Sequence, residues 1–235
     1  MIIRPSATSL LFITQPDHAR LAAEAIAYWQ ADGFPDHPRR NVILLAAREH
    51  DNGWFEEDAA TYVGQDGQPL DFVSVPVPVR QRIWPRAVDR MAERSPYAAA
   101  LIAQHALTVY GTTRTDPGWT EFFTIMTGRR DALLGRTDLD VATLQADYAF
   151  VNAADRISLA FCTAWETPLE SFGRRIILNG HTVEITPDPF GGARVSLRIL
   201  ARRLSAASFA SAESLRRALD AAPVEFLTGS AAGIS

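Results

Sequence analysis

The stretch Val42-Ile43-Leu44-Leu45-Ala46-Ala47-Arg48-Glu49-His50-Asp51-Asn52-Gly53-Trp54 decides how the chain is read. Its first six residues are apolar without a break and predict a buried helix from just after Pro38 to about His50. Asn52-Gly53 is a turn signal that ends it. An imidazole and a carboxylate side by side at the end of such a helix are expensive. A buried charge without a partner costs on the order of several kcal/mol, so it is ordinarily paired or bound to a metal.

Working outward, Thr14-Gln15-Pro16-Asp17 starts a helix, with a cap, a proline in the first turn and an acid at the positive dipole end. That helix is expected to reach about Gln30 and to bury Leu21, Ala22, Ala25, Ile26 and Trp29; His18 shares this face. Ser95-Pro96 caps a helix from Tyr97 to Tyr110, in which Leu101, Ile102, His105 and Val109 form one face. Asp138 opens a long helix whose stripe is Leu144, Tyr148, Val151, Asp155, Leu159 and Cys162. Further helices are expected from Val79 to Glu93, bent at Pro85, and from Asp116 to Leu134. The Pro- and Gly-containing segment from Phe55 to Pro78 reads as a long loop over the site. Leu10–Ile13 is a short strand or extended entry segment.

Pattern changes after Pro168. Arg175–Leu178, Thr182–Ile185 and Val195–Leu200 read as strands, and Asn179-Gly180 is a hairpin signal. Ser211 to Ala221 reads as a short amphipathic helix, Val224–Leu227 as a last strand, and Gly229–Ser235 as a frayed tail. The expected fold class is mainly α, a helical domain over residues 1–168 with a small β-rich appendage over 169–235 packed on it.

Composition narrows the chemistry. The formal net charge is −4, so no basic footprint for nucleic acid is expected. All 23 basic residues are Arg, which excludes lysine Schiff-base chemistry. The single cysteine, Cys162, excludes an intrachain disulfide and multi-cysteine zinc motifs. No run is long enough to span a membrane, and Met1–Pro5 lacks a signal-peptide layout, so a cytoplasmic protein is expected. The expected partners are a small anionic substrate or ligand and, at most, further copies of the chain in a homo-oligomer.

A lone histidine on an apolar face is ordinarily a hydrogen-bonded core residue. His18, His50, His105, Asp51 and Asp155 are together harder to place separately in a core. Grouped round a divalent cation they satisfy one another, and imidazole and carboxylate donors suit Mn, Fe, Ni, Co, Zn or Mg. The mixed N and O set predicts an open site with bound water rather than a closed structural zinc site.

The order His18, His50-Asp51, Asp155 resembles the H…HD…D signature of the HD-domain superfamily, mostly metal-dependent phosphohydrolases, and Val151–Ser158 resembles its last ligand helix. More narrowly, Thr14–Ala19 and His50–Trp54 resemble a bacterial family of unknown function. The superfamily resemblance implies a helical bundle in which His18, His50, Asp51 and Asp155 hold a metal. His105 is similar to the additional histidine of binuclear members. It further implies hydrolysis of a small phosphate ester or nucleotide by a metal-activated water, with Asp51, His105 and Arg156 in catalytic roles. Arg48, Arg94 and Arg156 are the candidates for gripping the anion. Two other functions fit the same resemblance: a non-enzymatic sensor or binding domain, and a di-iron oxygenase.

Overall fold

The computed structural model describes residues 1–234. Two strands open the chain, β1 (Ile2–Pro5) and β2 (Ser9–Ile13). The helices α1 (Gln15–Ile26), α2 (Arg40–Glu49), α3 (Phe55–Ala60), α4 (Val77–Ala92), α5 (Pro96–Val109), α6 (Thr120–Leu134) and α7 (Val141–Thr163) follow. The chain then forms β3 (Leu169–Ser171), β4 (Arg174–Asn179), β5 (Thr182–Thr186), β6 (Arg194–Ser205), α8 (Ala212–Ala221) and β7 (Val224–Gly233).

The strands form one seven-stranded, curled sheet in the order β1-β2-β6-β7-β5-β4-β3. Every neighbouring pair is antiparallel except β5 and β7. This corrects the expected fold class: the protein is α+β with a large mixed sheet, not mainly α with a small β appendage. The physical reason is that the sheet collects strands from both ends of the chain. β1 and β2 precede the first helix, and β2 pairs with the far end of β6, Ser9 opposite Ser205. β7 continues through Gly229, Ser230 and Ala231 to Ala232 in register with β6, and to Gly233 in register with β5, so this part of the tail is a central strand and not frayed. Its small residues carry no β-branched or aromatic signal. Ser235 lies outside the described residues.

One face of the sheet is covered by helices. Val195, Leu197, Ile199 and Ala201 of β6 are buried, while Arg194, Ser196 and Arg198 between them are exposed. α1 crosses β6, and α7 lies against β1, β3, β4 and β5. α2 and α5 pack on the other side of α7, and α4 and α6 pack on α5. No helix among the described residues is long and apolar enough to cross a membrane.

Two local readings change. The segment expected to be a long loop begins with α3, and its continuation is held at Val63–Pro69 and by Phe72 N–H to Met1 C=O, with the Phe72 ring stacked on Trp165. Val109, expected on the inner face of α5, is exposed. α4 runs without interruption across Pro85.

Candidate metal centre

Four helical segments each deliver a polar group to one point in the core. Thr14 caps α1, accepting from the Asp17 N–H, and places His18 in the first turn. α2 ends at His50, and Asp51 begins the turn into α3. That turn lies so close to α4 that a Cβ on Gly53 would be 2.0 Å from the Ile83 carbonyl oxygen, so only glycine fits there. Arg86 and Arg90 of α4 fasten it, donating to the Gly53 and Asn52 carbonyls. His105 comes from the middle of α5 and Asp155 from the middle of α7.

All five side chains are buried, the most exposed being Asp51 at 7%. His18 Nε2 is 3.0 Å from Asp155 Oδ1 and 3.9 Å from Asp51 Oδ2. His50 Nε2 is 3.4 Å from Asp51 Oδ2 and 3.6 Å from Asp155 Oδ1. Two ligand groups share His50: His18, His50 and Asp51, and His50, His105 and Asp155, each with its donor atoms within 4.8 Å of one another. At metal–ligand distances of about 2.1 Å, neighbouring donors of an octahedral ion lie about 3.0 Å apart and opposite donors about 4.2 Å apart. The observed separations fall in that window.

Hydrogen-bond polarity says what the centre lacks. The Ser158 hydroxyl donates to the His18 carbonyl, so it can only accept from His18 Nδ1, 2.7 Å away. His50 Nδ1 lies 2.7 Å from the Ala47 carbonyl, which can only accept. Each Nδ1 thus sits on an acceptor; His18 Nε2 also hydrogen-bonds Asp155 Oδ1 at 3.0 Å, while a neutral His50 turns a bare Nε2 toward the carboxylates. Among the described residues His50 Nε2 has no hydrogen-bond partner, since neither contact to the carboxylates has hydrogen-bond geometry. Lone pairs facing lone pairs in a dry interior need a cation between them. With neutral rings the two carboxylates leave a charge that one divalent ion cancels.

Without metal, protons take this place. Burial lowers the pKa of His50, but Asp51 and Asp155 outweigh it and raise it to about 10. Burial raises both carboxyls, yet the imidazoles win: His50 chiefly holds Asp51 below its ordinary value, and His18 then His50 hold Asp155 well below. His105 is pushed down to about 4 by burial and then by the charge of His50.

The five expected ligands thus come together. Arg156 follows Asp155 on α7, close enough for its charge to lower the pKa of His105, and its buried Nε has no hydrogen-bond partner. Arg48 and Arg94 are exposed on the surface, Arg48 4.0 Å from Glu49. Trp54 is buried in the core. Sequence reasoning passed over Ser158, one turn beyond Asp155, and Tyr148, whose hydroxyl is 3.0 Å from His105 Nδ1. It also passed over Asp147, which is fully buried on the same helix. The three- to four-residue spacing from Asp155 could have marked Ser158; Tyr148 stood in the apolar stripe and read as packing. A cavity of about 510 Å³ lies elsewhere, among α3, α8, β6 and the start of α1, and holds none of the five residues.

A family model described as "Protein of unknown function (DUF3891)" matches residues 1–206. No curated protein and no solved structure matches the chain. The expected membership of the HD-domain superfamily is corrected by these findings. The match is to a different family, and a curled seven-stranded sheet replaces the all-helical bundle that the superfamily implies.

Proposed function

The chain belongs to the DUF3891 family, and from that premise we propose that it is a metal-dependent hydrolase of small anionic esters, phosphate esters foremost, working in the cytoplasm. The observation that carries this reading is the bare His50 Nε2, buried and facing Asp51 and Asp155. His18, His50, Asp51 and Asp155 would hold one divalent ion. A second ion finds no independent site, because both ligand groups draw on the single free nitrogen of His50.

A bound divalent ion supplies a water of lowered pKa and a Lewis acid for the ester oxygen. The chain's own residues do the rest. Asp51 and Asp155 neutralise the ion. The buried walls keep bulk water from competing, which strengthens every charge interaction inside. Arg156, whose buried Nε has no hydrogen-bond partner among the described residues and whose charge reaches His105, would hold the anionic group of the substrate.

The test is metal analysis of purified protein followed by a phosphoester panel. We expect one divalent ion per chain, and turnover that a chelator abolishes and metal restores. Metal-loaded protein that hydrolyses nothing on the panel overturns the enzymatic part. The near-complete burial of the five side chains favours one second reading, a metal-binding domain without turnover. Stoichiometric metal with no hydrolysis would support it.

A further inference from the structure

The three imidazoles of the centre are not equivalent. His50 donates from Nδ1 to the Ala47 carbonyl, which can only accept, and His18 from Nδ1 to the Ser158 hydroxyl, whose proton goes to the His18 carbonyl. His105 Nδ1 instead meets a hydroxyl, that of Tyr148, which can give or take a proton. Its direction is settled further along a chain of hydrogen bonds. Ser171, on the edge strand β3, donates from its hydroxyl to Asn152 Oδ1 at 2.7 Å. The same amide turns its Nδ2 to the Tyr148 oxygen and donates to it at 3.3 Å. The Tyr148 proton then goes to His105 Nδ1, the other group hydrogen-bonded to its oxygen at 3.0 Å.

We propose that His105 is not a metal ligand but the hydrogen-bond donor of the centre, held in its Nε2–H form by the relay Ser171–Asn152–Tyr148. A nitrogen carrying a proton has no lone pair for a metal. With Nδ1 taken by Tyr148, the Nε2–H is the edge of the ring left for His50 and Asp155. There it can donate to an oxygen held in the centre, from water or from substrate. Four protein ligands remain, which leaves coordination positions open for those oxygens. The sheet thereby enters the site, because β3 supplies Ser171, the hydroxyl at the outer end of the relay. The inference rests on the proposed metal-dependent reading for its chemistry, but the tautomer of His105 is a property of the chain alone.

The test is imidazole nitrogen NMR on the full-length protein, first metal-free and then titrated with zinc. His105 is expected to show a bare Nδ1 and a protonated Nε2 in both states, while the Nε2 signals of His18 and His50 move with zinc. A protonated Nδ1 on His105, or a His105 Nε2 that moves as a ligand, overturns the inference. If no zinc binds, the metal reading fails, and the metal-free tautomer still decides this one. Two variants sharpen it. Because outer partners of metal ligands typically change affinity by about 10- to 100-fold, Asn152→Asp should strengthen zinc binding about tenfold. Its carboxylate can only accept, which turns the Tyr148 proton away and frees His105 Nε2 to coordinate. His105→Gln should leave zinc affinity within about threefold of the unaltered protein, far less than the loss of roughly 100-fold expected when a direct ligand is removed. A loss from His105→Gln as large as that from His50→Ala overturns the proposal.

Discussion

Two aspartates on α7, both buried, sit two turns apart and meet opposite surroundings. Asp147 is wholly inaccessible and saturated with donors: Arg39 Nε at 2.5 Å, Arg39 Nη2 at 3.0 Å and the Tyr97 hydroxyl at 2.7 Å. His37 Nε2 adds a contact at 3.3 Å. Asp155 has no guanidinium or hydroxyl. It accepts one hydrogen bond, from His18 Nε2 at 3.0 Å, and otherwise faces His50 Nε2 at 3.6 Å, with a second carboxylate nearby. The first arrangement is complete and pins the 30–40 segment to α5 and α7. The second is the one we propose that a cation completes. Burial alone does not mark a candidate functional acid; burial beside a second carboxylate with few donors does.

The largest expected effect separates these two residues. Asp147→Asn should destabilise the fold by about 3 kcal/mol, since it leaves the Arg39 charge with half its partner, and should not change metal affinity. The figure is at the low end for a buried pair because Arg39 is partly exposed. Asp155→Asn should do the reverse: metal affinity falls about 100-fold and hydrolysis is lost, while metal-free stability stays within about 1 kcal/mol. Urea unfolding and metal titration calorimetry on both variants read the contrast. If both variants lose stability alike and neither loses metal, the distinction between the two carboxylates collapses.

The same contrast has a pH signature. His50 is raised from 6.5 to about 10, so its imidazolium stabilises the metal-free fold fully below about pH 6.5. That contribution is lost as the pH rises through about 10. An incoming metal must displace this proton. Metal affinity should therefore rise about tenfold per pH unit between pH 7 and 9, with about one proton released per ion. Calorimetry in buffers of different ionisation enthalpy counts the protons. Zero release would mean that His50 is neutral in the metal-free protein. The Asp147 cluster, already closed by Arg39, should contribute nothing to this release.

A smaller effect probes how His18 is aimed. Ser158→Ala removes the acceptor that fixes the His18 Nδ1 proton and should weaken metal binding about tenfold. Stability should change little, because the side chain is small and the Ser158 hydroxyl serves only His18 and a weak contact to Cys162. Ser158→Thr, which keeps the hydroxyl, should recover most of the affinity. Equal losses in both would place the cause in packing.

The centre was legible because its residues lie on helices. A three- to four-residue period shows which way His18, His105 and Asp155 face from a few neighbours alone, and the Asn52-Gly53 turn marks where His50-Asp51 stop. The sheet was less legible because strand pairing is non-local. Nothing near Ser9 announces Ser205, and β7 is hidden by Gly229, Ser230 and Ala231. Asp147 was invisible for the same reason. Its partners Arg39 and Tyr97 lie 108 and 50 residues away. The polarity of the Ser171–Asn152–Tyr148 relay needs both the helix and the edge strand, so no local pattern carries it.

A third acid extends the comparison and gives the smallest effect. Glu57 of α3 is buried and, like Asp147, ringed by donors: Arg82 at 2.6 and 2.9 Å, Arg86 at 3.1 Å and the Tyr62 hydroxyl. The hydrogen bonds from Arg82, against an opposing burial effect, lower its pKa from 4.5 to about 2. A depressed carboxyl stabilises the fold above its unfolded pKa and loses that contribution as the pH falls. The window here is therefore about pH 4.5 down to 2. Arg82 is half exposed, so solvent screening reduces the contribution to about 1 kcal/mol. Glu57→Gln should lower the melting temperature at pH 7 by a few degrees and by much less near pH 2, where the native side chain is itself becoming protonated. Because α3 follows directly on the turn that carries Asp51, metal affinity tests the coupling between the two. If the Arg82, Arg86 and Arg90 row acts only as a structural clamp, Glu57→Gln leaves metal binding unchanged at pH 7. A parallel loss of metal affinity would show that this saturated acid also holds the unsaturated one in place.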